Sequence, residues 1–268
     1  MLSTESNKAK IAKRVIEVLE FFDDDHPRAT VMDIVRRFNR PQSSTSDLLS
    51  SLVDLGLLYK DPYSRSYTPT PRAAMLGCAG QSEIVRDGRL TGLMDRLHTQ
   101  TDLAVAVFGM VGLNVQIFNW RAGARTLRTA GSAGLFRGLQ EQLSESAAGW
   151  LLLSTVDQPR RDGMIRRLNA EATPERKFSV PAMAASVQQC RELGYASGAV
   201  GFGASASATA ILLPGQPHNQ PLALGFVYEP SDHVDEAALR HSLADAAYRC
   251  AHANAVIASG AQPLHHAA

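Results

Sequence analysis

Three short amphipathic stretches near the N-terminus, separated by two abrupt breaks, constrain the fold of this chain more than any other feature. From Lys10 onward Ile11, Val15, Val18, Leu19 and Phe22 recur at helical spacing, with Lys13, Arg14, Glu17 and Glu20 on the opposite side. The sequence DDDHP ends that helix, because adjacent carboxylates repel one another near a helix C-terminus and Pro27 blocks continuation. Thr30 is placed to cap a second helix that buries Val31, Ile34, Val35 and Phe38. Asn39 tolerates the left-handed conformation that stops a helix. Pro41 fits at or just before the first turn of a third, where a missing N–H costs little.

The third helix has two unlike sides. Leu48, Leu49, Leu52, Val53 and Leu55 form an apolar stripe, while Gln42, Ser43, Ser44, Ser46 and Asp47 occupy its start and its free face. A short helix, a tight turn and a second helix with a small polar N-terminal face make a helix-turn-helix. In that motif the first residues of the second helix meet base edges, and its first amides can meet a phosphate. Gly56 ends the helix, LLYKD follows as a strand, DPYSR turns through Pro62 and Ser64, and SYTPT returns. Helices followed by a hairpin predict a winged helix-turn-helix. Lys60 and Arg65 on the hairpin, with Arg36, Arg37 and Arg40 at the helix turn, are the expected phosphate contacts. Asp47 would repel a phosphate but can accept from a cytosine amino group. A bare helical hairpin with solvated serines is the bland alternative, and a wing at the right distance weighs against it.

Such a surface has to be local, since a net charge of +1 gives the chain no global field for a polyanion or a membrane. At 268 residues two domains are expected. Cys78, Cys190 and Cys250 are odd in number and far apart, with neither metal nor disulfide spacing, which suits a reducing cytoplasm. MLSTESNKAK lacks an apolar signal core and no apolar run is long enough to cross a bilayer, so a cytoplasmic protein without a membrane partner is expected.

The expected organisation is a winged domain over 1–72, a helical linker over 73–88, a second domain over 89–260 and a flexible tail over 261–268. Leu90, Leu93, Met94 and Leu97 begin the second domain as an amphipathic helix. Strand texture follows at Leu103 to Gly109, Leu113 to Trp120 and Ala124 to Ala130, with Gly109 and Gly112 punctuating the first hairpin. Ser144 is expected to cap a helix through AAGWLLLS, Pro159 or Arg160 to begin another, and Pro181 a third. SASATAILL and PLALGFVY read as two more strands, and DEAALRHSLADAAYRCAHANAVIA as a closing helix. Antiparallel strands flanked by helices predict an α+β fold.

The first domain resembles the DNA-binding domain of the IclR family of bacterial transcription regulators. The likeness runs through Pro41, Ser43, Ser44, Leu48, Leu49, Leu52, Leu55, Gly56, Asp61, Tyr67, Pro71, Leu76 and Gly77. It departs at Ser46 and Asp47, where the family often carries a histidine or tyrosine and then an arginine, so an operator sequence does not transfer. More loosely, QLSESAAGWLLLS, RELGYA, GASASATAILL and PLALGFVYEPSDHV resemble segments of the family's effector-binding domain, an antiparallel sheet related to GAF and PAS folds. The resemblance implies a homodimer, or a dimer of dimers, that binds operator DNA under control of a small-molecule effector. Carried over by motif, the effector lining includes Ala147, Ala204, Ala206, Gly225 and Val227. The last two replace small polar residues that commonly bind a carboxylate in the family. With Leu135, Phe136, Phe226 and Tyr228 nearby, a larger, partly aromatic or apolar ligand is implied. Ser205, Ser207 and Thr209 supply polar anchors if strand alternation turns one set inward; the aromatics are equally readable as plain core.

No catalytic residue, metal or cofactor is expected. GFGASA fits a dinucleotide fingerprint in letters only, with no following helix and no acidic residue ending a later strand. No G-x-S-x-G elbow occurs. His218, His233, His241 and His252 lack zinc spacing, and His265 and His266 lie in the tail. A small-molecule-binding enzyme with a helical accessory domain, and a sensor module that binds no DNA, stand as alternatives.

Overall fold

A computed structural model describes residues 7–259 apart from 24, 130–133, 218 and 231–233. The tail over 261–268 with His265 and His266, and also Ala130, His218 and His233, lie outside the described residues. Contacts divide the chain into two units, Met1–Gln81 and Ser82–Ala268.

In the first unit α1 (Asn7–Phe21), α2 (Val31–Phe38) and α3 (Gln42–Asp54) precede a two-stranded antiparallel wing, β1 (Leu58–Lys60) and β2 (Tyr67–Pro69), and the short α4 (Pro71–Met75). Each boundary has a local cause. The Thr30 hydroxyl accepts the Asp33 N–H at 3.4 Å, and the Asp33 carboxylate accepts the Thr30 N–H and hydroxyl, each at 2.8 Å. That reciprocal box starts α2. Asn39 ends it in the left-handed conformation at φ 47°, its N–H returned to the Val35 carbonyl. Gly56, at φ 70°, lets the chain leave α3 for β1. Val18, Ile34, Leu49, Leu52, Leu58 and Tyr67 are sealed in the core. Burial of a leucine such as Leu49 is worth about 1.5–3 kcal/mol relative to exposure, and this apolar stripe is what seats α3.

The second unit opens with α5 (Glu83–Arg86) and α6 (Arg89–Thr101). Among the described residues six antiparallel strands follow: β3 (Ala104–Val111), β4 (Asn114–Arg121), β5 (Gln140–Gln142), β6 (Tyr195–Ala199), β7 (Ser207–Leu212) and β8 (Leu222–Tyr228). They lie in the order β5-β4-β3-β8-β7-β6. Three helices, α7 (Ala147–Ser154), α8 (Arg160–Glu171) and α9 (Val180–Leu193), separate β5 from β6, and α10 (Glu236–Ser259) closes the unit. Alternation along the strands builds two cores. One face sets Ala106, Phe108, Ile117, Ala208 and Val227 against α7, α8 and α9. The other sets Val107, Ile211, Leu224, Phe226 and Tyr228 against α6 and α10. The α+β reading therefore holds.

Three expectations need correction, and two strands are additions to the sequence reading. Among the described residues the segment over 124–129 is not a strand; it makes a single bridge, Thr129 to Ala204, because Gly123 packs on the backbone of Asp102 to Ala104 and turns the chain off the sheet. The residue that caps α7 is Ser146, whose hydroxyl accepts the Gly149 N–H at 2.9 Å. Ser144 instead sits in the 3-10 turn Leu143–Glu145 before it. The first hairpin turns only at Gly112 and Leu113, while Gly109 stays within β3, covered by the Phe118 ring. The added strands β5 and β6 carry little strand signal: one has three residues, and the other contains Ser197 and Gly198.

Candidate nucleic-acid interface and effector face

The helix turn is built around α1. Leu49 and Leu52 hold α3 inward, Thr45 is buried, and Gln42, Ser43 and Asp47 are exposed, with Ser44 and Ser46 half-buried. Pro41 precedes α3 with no side chain able to cap it, and the Ser44 and Thr45 hydroxyls bond back to the Pro41 carbonyl at 3.2 and 2.9 Å. Ser44 also accepts a hydrogen bond from Arg14 Nη2 at 3.0 Å. Its hydroxyl is thus engaged within the protein.

The five expected phosphate contacts differ in how free they are. Arg37, Lys60 and Arg65 are exposed. Arg36 is also exposed and only loosely paired with Asp33, at 3.9 Å. Arg40 is half-buried, ion-paired with Glu17 of α1 and seated over the Phe38 ring. Its charge is therefore neutralised inside the unit, and it is the one basic residue of the set that the structure withholds from solvent.

The wing tip is a fixed loop. Asp61 accepts from the Tyr63 N–H at 2.8 Å, the Ser64 N–H at 3.4 Å and the Ser64 hydroxyl at 2.9 Å, and Arg65 closes the turn at φ 55°. The Tyr63 and Ser64 hydrogen bonds hold the Asp61 carboxyl below the ordinary aspartate range. On this loop Tyr63 stands 96% exposed, beside the Pro62 and Ser64 to which the sequence assigns the turn. An aromatic inside a DPYSR turn was the available signal.

In the second unit the expected effector residues do not share one surface. Leu135, Ala147, Ala206 and Val227 belong to the face against α7, with Ala204 packed on it and Gly225 on the same side of β8 between Ala223 and Val227. Ser207, Phe226 and Tyr228 point to the opposite face, against α6 and α10. There Tyr228 Oη and Thr209 Oγ1 lie 2.9 Å apart and Thr209 Oγ1 and Ser197 Oγ 3.0 Å apart, a closed hydroxyl chain rather than free anchors. Burial pushes the Tyr228 phenol upward in pKa. Ser205 and Phe136 are exposed. Adjacent residues of a strand face opposite sides of the sheet, so the expected lining is divided between the two faces of β7 and β8.

What sequence reading missed on the α7 face is aromatic. Gly201, Phe202 and Gly203 take φ values of 84°, 57° and 68° in succession, and this turn lays the Phe202 ring nearly parallel to Phe108, at 16° and 6.4 Å between centroids. A Cβ on Gly201 would stand 3.1 Å from both the Glu145 carbonyl and the Ser146 side chain, so the turn is pressed onto the start of α7. The G-F-G letters that failed as a dinucleotide fingerprint were the trace of this turn. An open cleft of about 630 Å³ reaches Val227 and Tyr228 at the end of the sheet, beside Arg125, Leu127 and Asp235. Among the described residues no group of His, Cys, Asp or Glu is placed to hold a metal, and no helix is long and apolar enough to cross a membrane.

Residues 12–62 match the IclR helix-turn-helix domain. None of the curated proteins matches the chain in sequence. Solved structures share the fold at low identity. An IclR homolog of Microbacterium hydrocarbonoxydans, complexed with 4-hydroxybenzoate, is 18% identical with a TM-score of 0.55, covering 90% of this chain and 97% of that one. The IclR transcriptional regulator of Alicyclobacillus acidocaldarius is 20% identical at a TM-score of 0.55, with coverages of 90% and 97%. The IclR of Thermotoga maritima is 15% identical at 0.56, with 91% and 98%. Residues 12–62 are thus similar to the IclR helix-turn-helix domain, and the antiparallel-sheet domain that follows them shares its fold with the second part of these structures.

Proposed function

We propose that the winged unit, residues 1–72, binds an operator half-site and that the second domain, residues 89–260, senses a small, partly apolar organic molecule. The observation that carries the DNA half is the two-sided α3: leucines sealed behind, Gln42, Ser43 and Asp47 in solvent, and Arg36, Arg37, Lys60 and Arg65 exposed beside them. Base edges are read by the first group and phosphates by the second. One such unit offers few base contacts, so a homodimer on paired half-sites supplies the missing discrimination. Ile11, Ile16, Met75 and Leu76 are each more than half exposed on the first unit and give a second copy apolar surface to cover.

For the effector, the α7 face favours a ligand with an aromatic body. Ala147, Ala206, Gly198 and Gly225 are the small residues along this side of the sheet, and Phe108 and Phe202 set their rings beside it. The 4-hydroxybenzoate held by the Microbacterium protein fits that description and is the first compound to try. Two measurements test the reading together: retention on DNA against rising salt, and thermal shift with 4-hydroxybenzoate and benzoate. A steep fall in binding with salt, and a rise in melting temperature with either acid, are expected. A chain that turns over a small molecule and ignores DNA would establish the enzyme alternative instead.

A further inference from the structure

Residues Gln42 to Asp47 can read DNA only if the first turn of α3 is held still, and that turn has no cap of its own. Pro41 offers no side-chain acceptor, so the first amides of α3 lack the usual restraint. The restraint comes from α1. Arg14 donates through Nη2 to the Ser44 hydroxyl, which in turn donates to the Pro41 carbonyl. One helical turn further along α1, Glu17 receives Arg40, the residue before Pro41. The two contacts thus grip α1 to both sides of the break that opens α3. Arg14 Nε and Arg40 Nη1 are buried with no partner. Leaving such donors unpaired opposes this arrangement, and both guanidinium groups nevertheless stay turned inward.

We infer that Arg14 is a positioning residue for operator recognition. It touches no base; it fixes Ser44, and through Ser44 the first turn of α3, so that Gln42, Ser43, Ser46 and Asp47 meet the groove in one arrangement. Discrimination between sequences depends on it, whereas general attraction to DNA does not. This rests on the proposed operator binding, and the experiment separates the two.

A preferred duplex is first selected from random sequences with the full-length wild-type protein. Wild type, Arg14→Ala, Ser44→Ala and the double variant are then titrated against that duplex and a scrambled one at several salt concentrations, with melting temperatures recorded. The expected result is a loss of about tenfold in the preferred-to-scrambled affinity ratio for each single variant, the scale of one hydrogen bond to a charged group. The double variant should be no worse than either single one, because both remove the same contact. The salt slope should be unchanged. Equal weakening on both duplexes with a slope reduced by about 0.9 would make Arg14 a phosphate contact and overturn the inference. Additive losses, or an unchanged ratio, would overturn it as well. If Arg14→Ala lowers the melting temperature, Arg14→Met, which keeps the apolar stem and removes the donors and the charge, is read in the same way. Failure of selection to yield any duplex would remove the operator reading itself, and the inference with it.

Discussion

Two glycines in helix interiors should respond to the same substitution with opposite sign. Gly149 lies in α7 and Gly163 in α8. By helix propensity alone, alanine at either position should stabilise by about 0.5–1 kcal/mol. Their surroundings separate them. A Cβ at Gly163 meets nothing within 4 Å, so Gly163→Ala should realise that gain. A Cβ at Gly149 would lie 2.2 Å from the Leu143 carbonyl oxygen and 2.8 Å from its Cα, where ordinary contact begins at 3.4 Å. The obstacle is backbone and cannot swing aside. Helix α7 and the turn before it must move apart, a form of overpacking that costs about 1–3 kcal/mol. The net effect of Gly149→Ala is therefore destabilising, and the two variants should differ by roughly 2 kcal/mol in urea unfolding. Tryptophan fluorescence is the natural probe, since Trp120 and Trp150 both lie in the second unit. Trp150 also donates to the Ser144 carbonyl at 2.8 Å, so its emission reports on the turn that must shift. Gly149→Ala proteins as stable as Gly163→Ala would refute the close approach on which this reasoning depends.

Other expectations can be checked singly. Arg37→Ala should weaken binding to every duplex alike and lower the salt slope by about 0.9, measured by anisotropy titration. Arg40→Ala should leave the slope nearly unchanged and lower the melting temperature instead, because it strands the half-buried Glu17. The Thr30 N–H and then its hydroxyl hold the Asp33 carboxyl below the ordinary aspartate value near 3.8. Folding is thus favoured above that value, and the contribution is lost as pH falls through the lower, folded one. Thr30→Val should raise the folded Asp33 value toward the ordinary one, so that the contribution is smaller and its acid loss is complete at a higher pH, as read by NMR titration. Phe202→Gly removes a ring while relieving a left-handed residue of about 1–2 kcal/mol; stability should change little, and any preference for planar over saturated ring acids in calorimetry should vanish.

The first unit was legible because its signals are local. Thr30, Asn39, Pro41 and Gly56 each act within a few residues, and the structure uses them as expected. What escaped was long-range. Nothing in the spelling of Arg14 or Glu17 says that they reach Ser44 and Arg40, because those contacts exist only after α1 packs on the turn. In the second unit the strands β3, β4, β7 and β8 were visible from texture. Which residues share a face was not, since motif transfer names positions without the alternation that sorts Val227 from Tyr228. Ser146 was missed as a cap because Ser144, two residues earlier, carries the same side chain, and only backbone direction distinguishes them.

The succession of Gly201, Phe202 and Gly203 bears on how the proposed ligand face can change. The backbone conformation excludes ordinary side chains at the two outer positions, and the start of α7 crowds the first of them. The middle position already tolerates a bulky group at some cost. Divergence between descendants of such a protein would then be channelled to one codon: exchange at Phe202 resizes the wall opposite Phe108, while its neighbours stay invariant and keep the loop's shape.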